Sequence, residues 1–571
     1  MSEYDAVIRN GTIVDGTKLP AYKADLAIRG GKIVQISGTI KKGAKKELDA
    51  SGCIVAPGAI DLHTHYDAQI CWDPYATLSG WHGVTTVCIG QCGFGMSPCK
   101  PQDRESYMQL MTRVEAIPLD SMRKGMQWDW VSFPEYLDSL QRHGLGVNAI
   151  SQVPFSPMRA YVMGVKEARE RTQLTTAELA QMKTIFREGM QAGGFGFSTD
   201  LNPQDRAEDG GPIPSHVASK EEYLALAEIM GEFGVGHIEW TSGGLSGALG
   251  DEPSFLEELM RRSGRPLQWA AIIHFERNPE LWKSQLRWLE DAHRRGLPLY
   301  AQSISMPIIS RFTLADYNFF DDMPHWVDPF LGTVEERMAK LRKPEVRAAM
   351  KKDLAELEGV LFHKNWRKIK VLEVAEKRNL AYEGLSIAEL AERQGKDPLD
   401  AMLDLGLDEG LRTEFGDTGL ANDDMAAVGE ILKHPYTHLS SSDGGAHTRY
   451  LTLSTWPTHF LTYWVRDRGL MSLEEAHWKM SALPAWIVGI RDRGYLREGM
   501  AADLMIYDPE KLGFLYDQPI FATDFPGGER RIIQKAKGIR YTVVEGAVTF
   551  EEGQCTGALP GKVLRSYDMI S

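Results

Sequence analysis

The sequence predicts an α/β protein built on a (β/α)8 TIM barrel, with a small discontinuous β-sandwich domain made from both chain ends. Three observations lead to this prediction. Apolar strand-like runs alternate with helix-like stretches through the middle of the chain. Both ends are instead rich in short strands and turns. The last two strand-like runs of the middle part stand far apart, from about Pro307 to Tyr436.

Eight apolar runs are the candidates for the barrel strands. They read CIVAPGAIDLHTHYD, GVTTVCIGQCG, GVNAISQVP, GGFGFSTDL, VGHIEWTSGG, LQWAAIIHF, LPLYAQSIS and THLSSSDGG. The stretches between them, such as TTAELAQMKTIFREGMQA, have helical periodicity and are rich in good helix formers. Strands that alternate with helices form parallel sheets, and eight such units fit a catalytic barrel over residues 58–481.

The two chain ends, residues 1–57 and 482–571, predict a single composite β-sandwich domain. Asn10-Gly11 and Gly30-Gly31 are hairpin signals between β-branched runs, and Glu545-Gly546 is a turn signal near the other end. Because chain termini often lie close together, two strand-rich ends can pair in space.

Residues from about 308 to 436 predict an insertion between barrel strands 7 and 8. It begins with the aromatic stretch LADYNFFDDMPHWVDPF and continues as charged helix. We interpret it as a lid over the barrel mouth, in which Phe319, Phe320, Trp326 and Phe330 would exclude water. Packing inside a subdomain, an oligomer contact and a plain surface excursion are the alternatives.

Composition excludes several classes of protein. The 571 residues are 43% hydrophobic and 25% charged, as in a soluble globular protein. The formal charge of −14 disfavours nucleic acid and anionic membranes, because both bind basic surfaces. The start lacks a basic leader with an apolar core, and no apolar run approaches the roughly 20 residues that cross a bilayer. Six cysteines in so long a chain do not make a disulfide framework, so we expect a cytoplasmic protein with free thiols.

Polar side chains fall where we expect the barrel strands to end, which is the working face of such barrels. The expected set is His63 and His65 after run one, Cys92 after run two, His237 in run five, His274 in run six and Asp443 in run eight. A single histidine or cysteine at a strand end is usually structural. Six such residues around one barrel predict a metal site.

The types of ligand point to zinc. Imidazole and thiolate are the donors that this ion prefers, whereas magnesium and calcium need oxygen donors. Bound zinc lowers the pKa of its water to about 7, which makes hydroxide available for attack at neutral pH. Asp443 would accept the proton of that water and pass it to a leaving group.

These motifs resemble those of the amidohydrolase superfamily. The resemblance rests on the HxH pair in DLHTHYD, the lone histidines of runs five and six, the aspartate of SSDGG and the strand-rich ends. Within that superfamily, GVTTVCIGQCGFGMSP and GALPGKVLR look like the D-aminoacylase (N-acyl-D-amino-acid deacylase) group, and the chain resembles a less characterised branch of it. The resemblance implies a metal-dependent amide hydrolase on a TIM barrel.

Carried over by position, the resemblance implies a distribution of metal ligands. Cys92, His237 and His274 would hold a tightly bound zinc, His63 and His65 would line a second, weaker site, and Cys92 could bridge the two. Many binuclear relatives use a carboxylated lysine at the end of strand 4 as the bridge, but GGFGFSTDL contains no lysine.

The substrate-binding candidates are Arg449, His447, Arg159, Glu276 and Ser198. The resemblance implies that Arg449 clamps a substrate carboxylate, although a pair with an acidic residue of the insertion is the alternative. Arg159 is either pocket-lining or an ion-pair partner, and Ser198 would position substrate at the end of strand 4. Glu276 stands where the group has a substrate-binding lysine, so it would repel a carboxylate or select a cationic or neutral amide.

Three functions remain open on the sequence. The favoured one is hydrolysis of a linear amide, an N-acyl amino acid, as the small-molecule partner. The alternatives are cleavage of a cyclic amide, as in hydantoinase-like or dihydroorotase-like relatives, and a catalytically inactive scaffold of the same shape. Barrels of this kind often associate, so a homo-oligomer is an open alternative to a monomer.

Overall fold

Eight short strands form the centre of the computed structural model, which describes residues 3–242, 252–315 and 319–569. In chain order, barrel strands 1 to 8 are Ala59–Asp61, Val84–Ile89, Asn148–Ser151, Gly196–Asp200, His237–Thr241, Leu267–Ile272, Leu299–Ser303 and Thr437–His438. Each pairs in parallel with the next one, and Val153–Pro154 continues strand 3 to reach strand 4. A parallel bridge between Thr64 and Gly444 joins the loop after strand 8 to the loop after strand 1. This order and direction are those of the (β/α)8 fold.

Helices follow the barrel strands as the periodicity predicts. Several begin with a capping box, in which a serine or threonine and a glutamate three residues later satisfy the first free N–H groups. The α-helices up to strand 7 are Thr77–Gly80, Arg104–Val114, Leu119–Gly125, Phe133–His143, Phe155–Met163, Glu167–Glu170, Thr176–Gln191, Pro214–Val217, Lys220–Phe233, Glu252–Ser263 and Leu281–Arg294. After strand 8 come the helices Trp456–His459, Phe460–Asp467, Leu473–His477, Trp478–Ala482 and Leu483–Val488. No helix in the described part of the chain is long and apolar enough to cross a bilayer.

The alternation of side chains along strand 5 decides which residues reach the barrel interior. Ile238 and Trp240 face the surrounding helices, where the Trp240 ring lies 5.2 Å from that of Tyr223. His237, Glu239 and Thr241 therefore point the other way, into the barrel. Polar residues on a buried strand are thus gathered inside the barrel, beneath its mouth.

The two chain ends share one nine-stranded sheet. In chain order its strands are Tyr4–Ile13, Tyr22–Arg29, Lys32–Ser37, Ala44–Asp49, Ile54–Pro57, Leu504–Tyr507, Ile539–Val544, Ala547–Glu551 and Gln554–Cys555. Leu504–Tyr507 pairs antiparallel with Ile54–Pro57, which joins the C-terminal part to the N-terminal part. The sheet has an apolar core of its own that includes Ile8, Leu26 and Leu504.

A buried ion-pair network ties this sheet to the barrel. Arg493 Nη1 lies 2.5 Å from Asp503 and 3.0 Å from Glu545. Asn148 of barrel strand 3 donates to Asp503 through Nδ2 at 2.9 Å. Because the side chains of Arg493, Asp503 and Glu545 are at most 8% exposed, each charge depends on the others for compensation.

The C-terminal part of the chain also reaches the barrel directly. Helix Leu483–Val488 packs against Ile60, Leu62 and Ile150, so by contact it extends the barrel beyond residue 482. Near the end of the chain, Leu564 N donates to the carbonyl of Ala149 at 2.8 Å.

The insertion between strands 7 and 8 has its own sheet and core. Its antiparallel strands are Ile308–Phe312, Ile369–Glu373 and Glu414–Ala421, and its helices are Pro324–Val327, Val334–Leu341, Pro344–Glu356, Ile387–Gln394, Pro398–Asp408 and Met425–Lys433. Phe319, Phe320, Trp326 and Phe330 are all buried, and Phe320 packs against Phe362 with ring centroids 5.3 Å apart. These aromatic side chains form the core of the insertion, which is the alternative that the sequence left open.

Candidate active site

A cavity of about 220 Å³ lies at the carboxyl ends of the barrel strands. Its wall includes His63, His65, Cys92, Asp443 and His447, all of which the sequence singles out. The insertion contributes Ile308, Leu361, Leu420 and Ala421 to the same wall. The carboxyl-terminal face is where barrels of this kind carry their sites, so we take this cavity as the candidate active site.

Three side chains in the cavity form a group that could hold a metal ion. One donor atom from each of His63, His65 and Cys92 lies within 4.8 Å of the others. His63 Nε2 is 3.2 Å from Cys92 Sγ. Asp443 Oδ1 lies 3.4 Å from His63 Nε2 and 3.9 Å from His65 Nε2. Two imidazoles, a thiol and a carboxylate therefore meet at one point.

Strained backbone presents two of these side chains. Cys92 has φ of +52° and Asp443 has φ of +50°, in the left-handed region that residues with a side chain seldom adopt. Asp443 N donates to the carbonyl of His63 at 3.1 Å, and His65 N donates to the carbonyl of Gly444 at 2.7 Å. The loop after strand 8 is thereby fixed against the two histidines.

Glycine is required where these two loops meet. Gly445 has φ of +93°, and a Cβ atom there would lie 2.7 Å from the carbonyl oxygen of His65. Backbone cannot give way as a side chain can, so only glycine allows this approach.

Two buried glutamates stand behind the metal-ligand candidates. Glu239 Oε1 lies 3.9 Å from His63 Nδ1, and Glu239 Oε2 accepts from the backbone N–H of Cys92 at 3.0 Å. Glu115 lies 3.4 Å from His65 Nδ1 and 3.4 Å from His447 Nε2. Carboxylates in this position orient metal-binding imidazoles and fix which ring nitrogen faces the metal.

Thr241 completes the surroundings of the thiol. Its Oγ1 lies 3.1 Å from Cys92 Sγ and donates to Glu239 Oε1 at 2.9 Å. Glu239 is therefore connected to the cysteine twice, through the backbone of Cys92 and through Thr241.

The electrostatics of the group favour a cation. Burial raises the pKa of Glu239 to about 7 and raises that of Glu115 well above its usual range, where Asp205 and Asp443 add to the effect. Burial, with Glu239 and Asp200 nearby, also holds the pKa of the Cys92 thiol well above its usual range. A cation among these groups would stabilise every anionic form. The nitrogen, sulfur and oxygen donors fit zinc.

The placement of His237 is a correction to the sequence analysis. His237 is the first residue of strand 5, level with Gly196 at the start of strand 4, and not at the carboxyl end. Thr241 is the residue of this strand that reaches Cys92, and four residues of strand span about 13 Å. Strand 5 begins directly after Gly236, so its carboxyl end falls later than the run of letters suggests. The structure does not bring His237 into the metal-ligand group.

His274 also lies outside the group. It follows strand 6 by two residues, and its neighbours Ile273 and Phe275 line the cavity, whereas His274 is not among the lining residues. His274 Nδ1 is 3.3 Å from Asp423 Oδ1, and its backbone N–H donates to Asn422 Oδ1 at 3.0 Å. Both partners belong to the insertion, so His274 links the barrel rim to that subdomain.

Arg159 and Glu276 are ion-pair residues and do not line the cavity. Arg159 is fully buried in helix Phe155–Met163, and its Nε lies 2.8 Å from Glu222, which is the alternative weighed from the sequence. Glu276 is exposed, and Lys368 of the insertion lies 2.8 Å from its carboxylate.

Ser198 and Arg449 have different surroundings from those expected. Ser198 is buried below the cavity, where its hydroxyl donates to the carbonyl of Gly90 and accepts from Gly93 N at 3.0 Å. It therefore supports the turn that carries Cys92. Arg449 is half-buried and is not among the residues of the cavity wall. His447 does line the cavity, beside Glu115.

Four residues of the site, Glu239, Thr241, Glu115 and Asp205, were not predicted from the sequence. Counting in twos from His237 would have found Glu239 and Thr241 on the inner face of strand 5. Asp205 follows strand 4 and lines the cavity, but it lies in a loop whose path the sequence does not define. Glu115 follows the last residue of helix Arg104–Val114, and no local pattern marks it.

Comparison with known proteins gives consistent results. A model described as the amidohydrolase family matches residues 46–550. An uncharacterized protein of Mycobacterium tuberculosis is 28% identical over 97% of this chain and 93% of its own length. The D-aminoacylase of Alcaligenes xylosoxydans xylosoxydans is 26% identical over 98% of this chain and 97% of its own. The N-acyl-D-aspartate deacylase of the same organism is 27% identical over 100% and 96%.

A solved structure agrees on the fold. The crystal structure of N-acyl-D-glutamate deacylase from Bordetella bronchiseptica, complexed with zinc and a phosphonate inhibitor, has a TM-score of 0.68 with 22% identity. The match covers 99% of this chain and 100% of that one. The two proteins therefore share their fold over nearly the whole of both chains.

Proposed function

Because the chain belongs to the amidohydrolase family and is a hydrolase of amide C–N bonds, we propose that it cleaves a linear N-acyl amide in the cavity described above. The observation that carries the proposal is the meeting of His63, His65, Cys92 and Asp443 at the carboxyl face of the barrel. N-acyl amino acids are the first substrate class to test, since the relatives of known activity are named for N-acyl-D-amino acids.

We propose one zinc ion held by His63, His65, Cys92 and Asp443. These four residues supply the donors, and Glu239 and Glu115 orient the two imidazoles from behind. When bound, zinc would polarise the amide carbonyl and lower the pKa of water. This assignment differs from the one that the resemblance implies, because it gives His237 and His274 no part in the tight site. Within the described residues a single such group is found, so the weaker second site lacks a separate set of ligands.

Asp443 is the proton carrier in this proposal. Its Oδ1 lies 3.4 Å from His63 Nε2 and 3.9 Å from His65 Nε2, and Asp443 lines the cavity in which the substrate would bind. It would take a proton from the attacking water and deliver it to the amide nitrogen as the C–N bond breaks.

The surrounding domains support this site. We propose that residues 1–57 and 482–571 make a composite domain that packs against the outside of the barrel and stabilises it. We also propose that the insertion of about 308–436 acts as a fixed wall of the cavity, since its aromatic residues are engaged in its own core.

The test is a substrate panel on zinc-loaded and metal-depleted protein. N-Acetyl and N-hexanoyl amino acids of both configurations and their amides are assayed for release of the free acid, beside a hydantoin assayed for ring opening. We expect zinc-dependent release of acid from linear amides. Preferential opening of the cyclic amide would replace the proposal with the hydantoinase-like alternative. If both activities persist after metal depletion, the proposed metal centre is wrong.

A further inference from the structure

The wall of the cavity is divided into an apolar side and an acidic side. Apolar side chains come from the loops after strands 6, 7 and 8 and from the insertion; they include Ile273, Phe275, Ile304, Ile308, Leu420 and Leu453. Outside the candidate metal ligands and His447, the acidic side chains come from the loops after strands 2 and 4, namely Glu115 and Asp205, with Asn202 and Gln204 beside them. Neutral polar groups are added by strands 5 and 7 and by the loop after strand 8, namely Thr241, Gln302 and Ser441. Neither lysine nor arginine occurs among the described residues that line the cavity.

This distribution of charge is unsuited to a free carboxylate. A substrate carboxylate needs a cation or several N–H donors, and a second carboxylate nearby repels it. The two arginines that the sequence favours do not supply that cation: Arg159 is paired with Glu222, and Arg449 is not among the residues of the wall. Lys368 of the insertion lies between Glu276 and Asp423.

We infer, on the basis of the proposed amide hydrolysis, that the preferred substrate joins an apolar acyl group to an amine part that is neutral or cationic. The acyl chain would lie against the apolar side and the amine part against Asp205. N-acyl amino acids with a free carboxylate are then poor substrates, which separates this enzyme from the activities named for its relatives.

Asp205 is placed to recognise the amine part. Its loop is closed by the backbone bond from Asp205 N to the carbonyl of Asn202 at 3.0 Å. Asn202 Nδ2 also donates to Asp205 Oδ2 at 3.0 Å, which fixes the carboxylate at the cavity wall. A carboxylate held in this way can accept from an ammonium or amide N–H donor without first being ordered.

The chemistry of the reaction agrees with this orientation. An amide RCONHR′ and one water give RCOO⁻ and R′NH₃⁺, with the C–N electron pair leaving on nitrogen and both water protons ending on the amine. The positive charge therefore develops on the amine side of the bond. A carboxylate near that side stabilises the charge as it forms, whereas a substrate carboxylate placed beside Asp205 would be repelled.

Three matched substrates test the inference on the zinc-loaded enzyme. The substrates are N-hexanoyl-alanine, N-hexanoyl-alaninamide and 1,2-diaminopropane hexanoylated on N2. They differ in one group, which is anionic, neutral or cationic in that order. Each is assayed in both configurations for hexanoate release, beside the acetyl analogues. We expect kcat/KM to be at least about tenfold higher for the neutral and cationic substrates than for the carboxylate, equivalent to about 1.4 kcal/mol. Hexanoyl compounds should exceed acetyl compounds.

Two variants make the assignment to Asp205 specific. Asp205→Asn should reduce the ratio of kcat/KM for the cationic over the neutral substrate by about tenfold, since the charge is lost and the shape is kept. Glu276→Gln, at an exposed ion pair outside the cavity, should leave that ratio unchanged. Preference for the carboxylate substrate would overturn the inference while leaving amide hydrolysis intact. Failure to release hexanoate from any of the three would overturn the proposed function and the inference with it.

Discussion

At the scale of single residues, the candidate site is set by four side chains whose backbone neighbours hold them in place. Cys92 and Asp443 take up left-handed backbone conformations, and Glu239 contacts both the segment of Cys92 and His63. Such strain persists only where surrounding bonds over-determine it, and here those bonds converge on the proposed metal ligands.

Metal content separates the ligand set proposed here from the one implied by the resemblance. Cys92→Ala should purify with little zinc, because it removes one of the four proposed donors. His237→Asn should keep about one equivalent, because His237 lies at the opposite end of strand 5. Zinc measured by elemental analysis on folded protein checks both variants, and loss of zinc from His237→Asn would contradict the assignment.

Asp443 is expected to matter for turnover more than for metal retention. Asp443→Asn keeps the shape and one oxygen donor but cannot accept the proton from water. We expect kcat to fall by about 10²–10⁴, the usual effect of removing a proton-transfer group. Zinc content, measured on the same preparation, should stay close to that of the parent. An unchanged kcat would show that another group carries the proton.

At the scale of structural elements, the close contact between two loops sets the geometry of the site. Gly445→Ala would place a Cβ atom 2.7 Å from the carbonyl of His65, which must push the loop after strand 8 away from the histidines. We expect weaker zinc binding and lower stability. Gly469→Ala is the matched control, because Gly469 also has positive φ, +58°, but has open space around its Cβ position. Zinc titration and thermal unfolding of both variants measure the difference.

The elements themselves were largely predictable, and the family resemblance is confirmed. Alternating runs gave the order of the strands because period and composition are local properties. The ends of the strands were harder to predict from the sequence, because the register of a strand is fixed by the neighbouring strands. His237 shows the error: it was assigned to the carboxyl end of strand 5, yet it pairs at the level of Gly196.

The remaining misassignments have a common physical cause. Arg159 and Glu276 were candidates for substrate contact because charged residues follow strands 3 and 6 in the sequence. Their partners, Glu222 and Lys368, are distant in the chain and come close only in the folded molecule. Sequence reasoning sees one member of each pair at a time.

At the scale of the whole molecule, two buried basic residues, Arg493 and Lys479, are expected to affect the free energy of unfolding. Arg493 compensates Asp503 and Glu545 where the composite sheet meets the barrel. Arg493→Leu would leave the buried Asp503 carboxylate without its cation and Glu545 with Lys562 alone, at a cost of about 3–5 kcal/mol in the free energy of unfolding. Arg491→Leu, an exposed arginine two positions earlier, serves as control. Urea unfolding should separate the two variants, and equal midpoints would contradict the role of the network.

Lys479 gives a dependence of stability on pH. Burial lowers the pKa of its ammonium group from 10.5 to about 7, although Nζ donates to the carbonyls of His434 and Thr437. The unfolded chain therefore binds more protons than the folded chain between about pH 7 and 10.5, so stability rises with pH in this window. The slope is at most about 1.4 kcal/mol per pH unit. Lys479→Met should lack this contribution. The unfolding midpoint of this variant should therefore rise less between pH 7.5 and pH 9.5 than that of the parent.

The pairing of Leu504–Tyr507 with Ile54–Pro57 has a consequence for biosynthesis. An N-terminal segment made early must wait for a strand that leaves the ribosome some 450 residues later, an interval in which the barrel strands are made. Until then, the edge of Ile54–Pro57 exposes unpaired peptide groups to other nascent chains. We therefore expect polypeptides that end before residue 500 to aggregate, even though they contain every residue of the proposed metal centre.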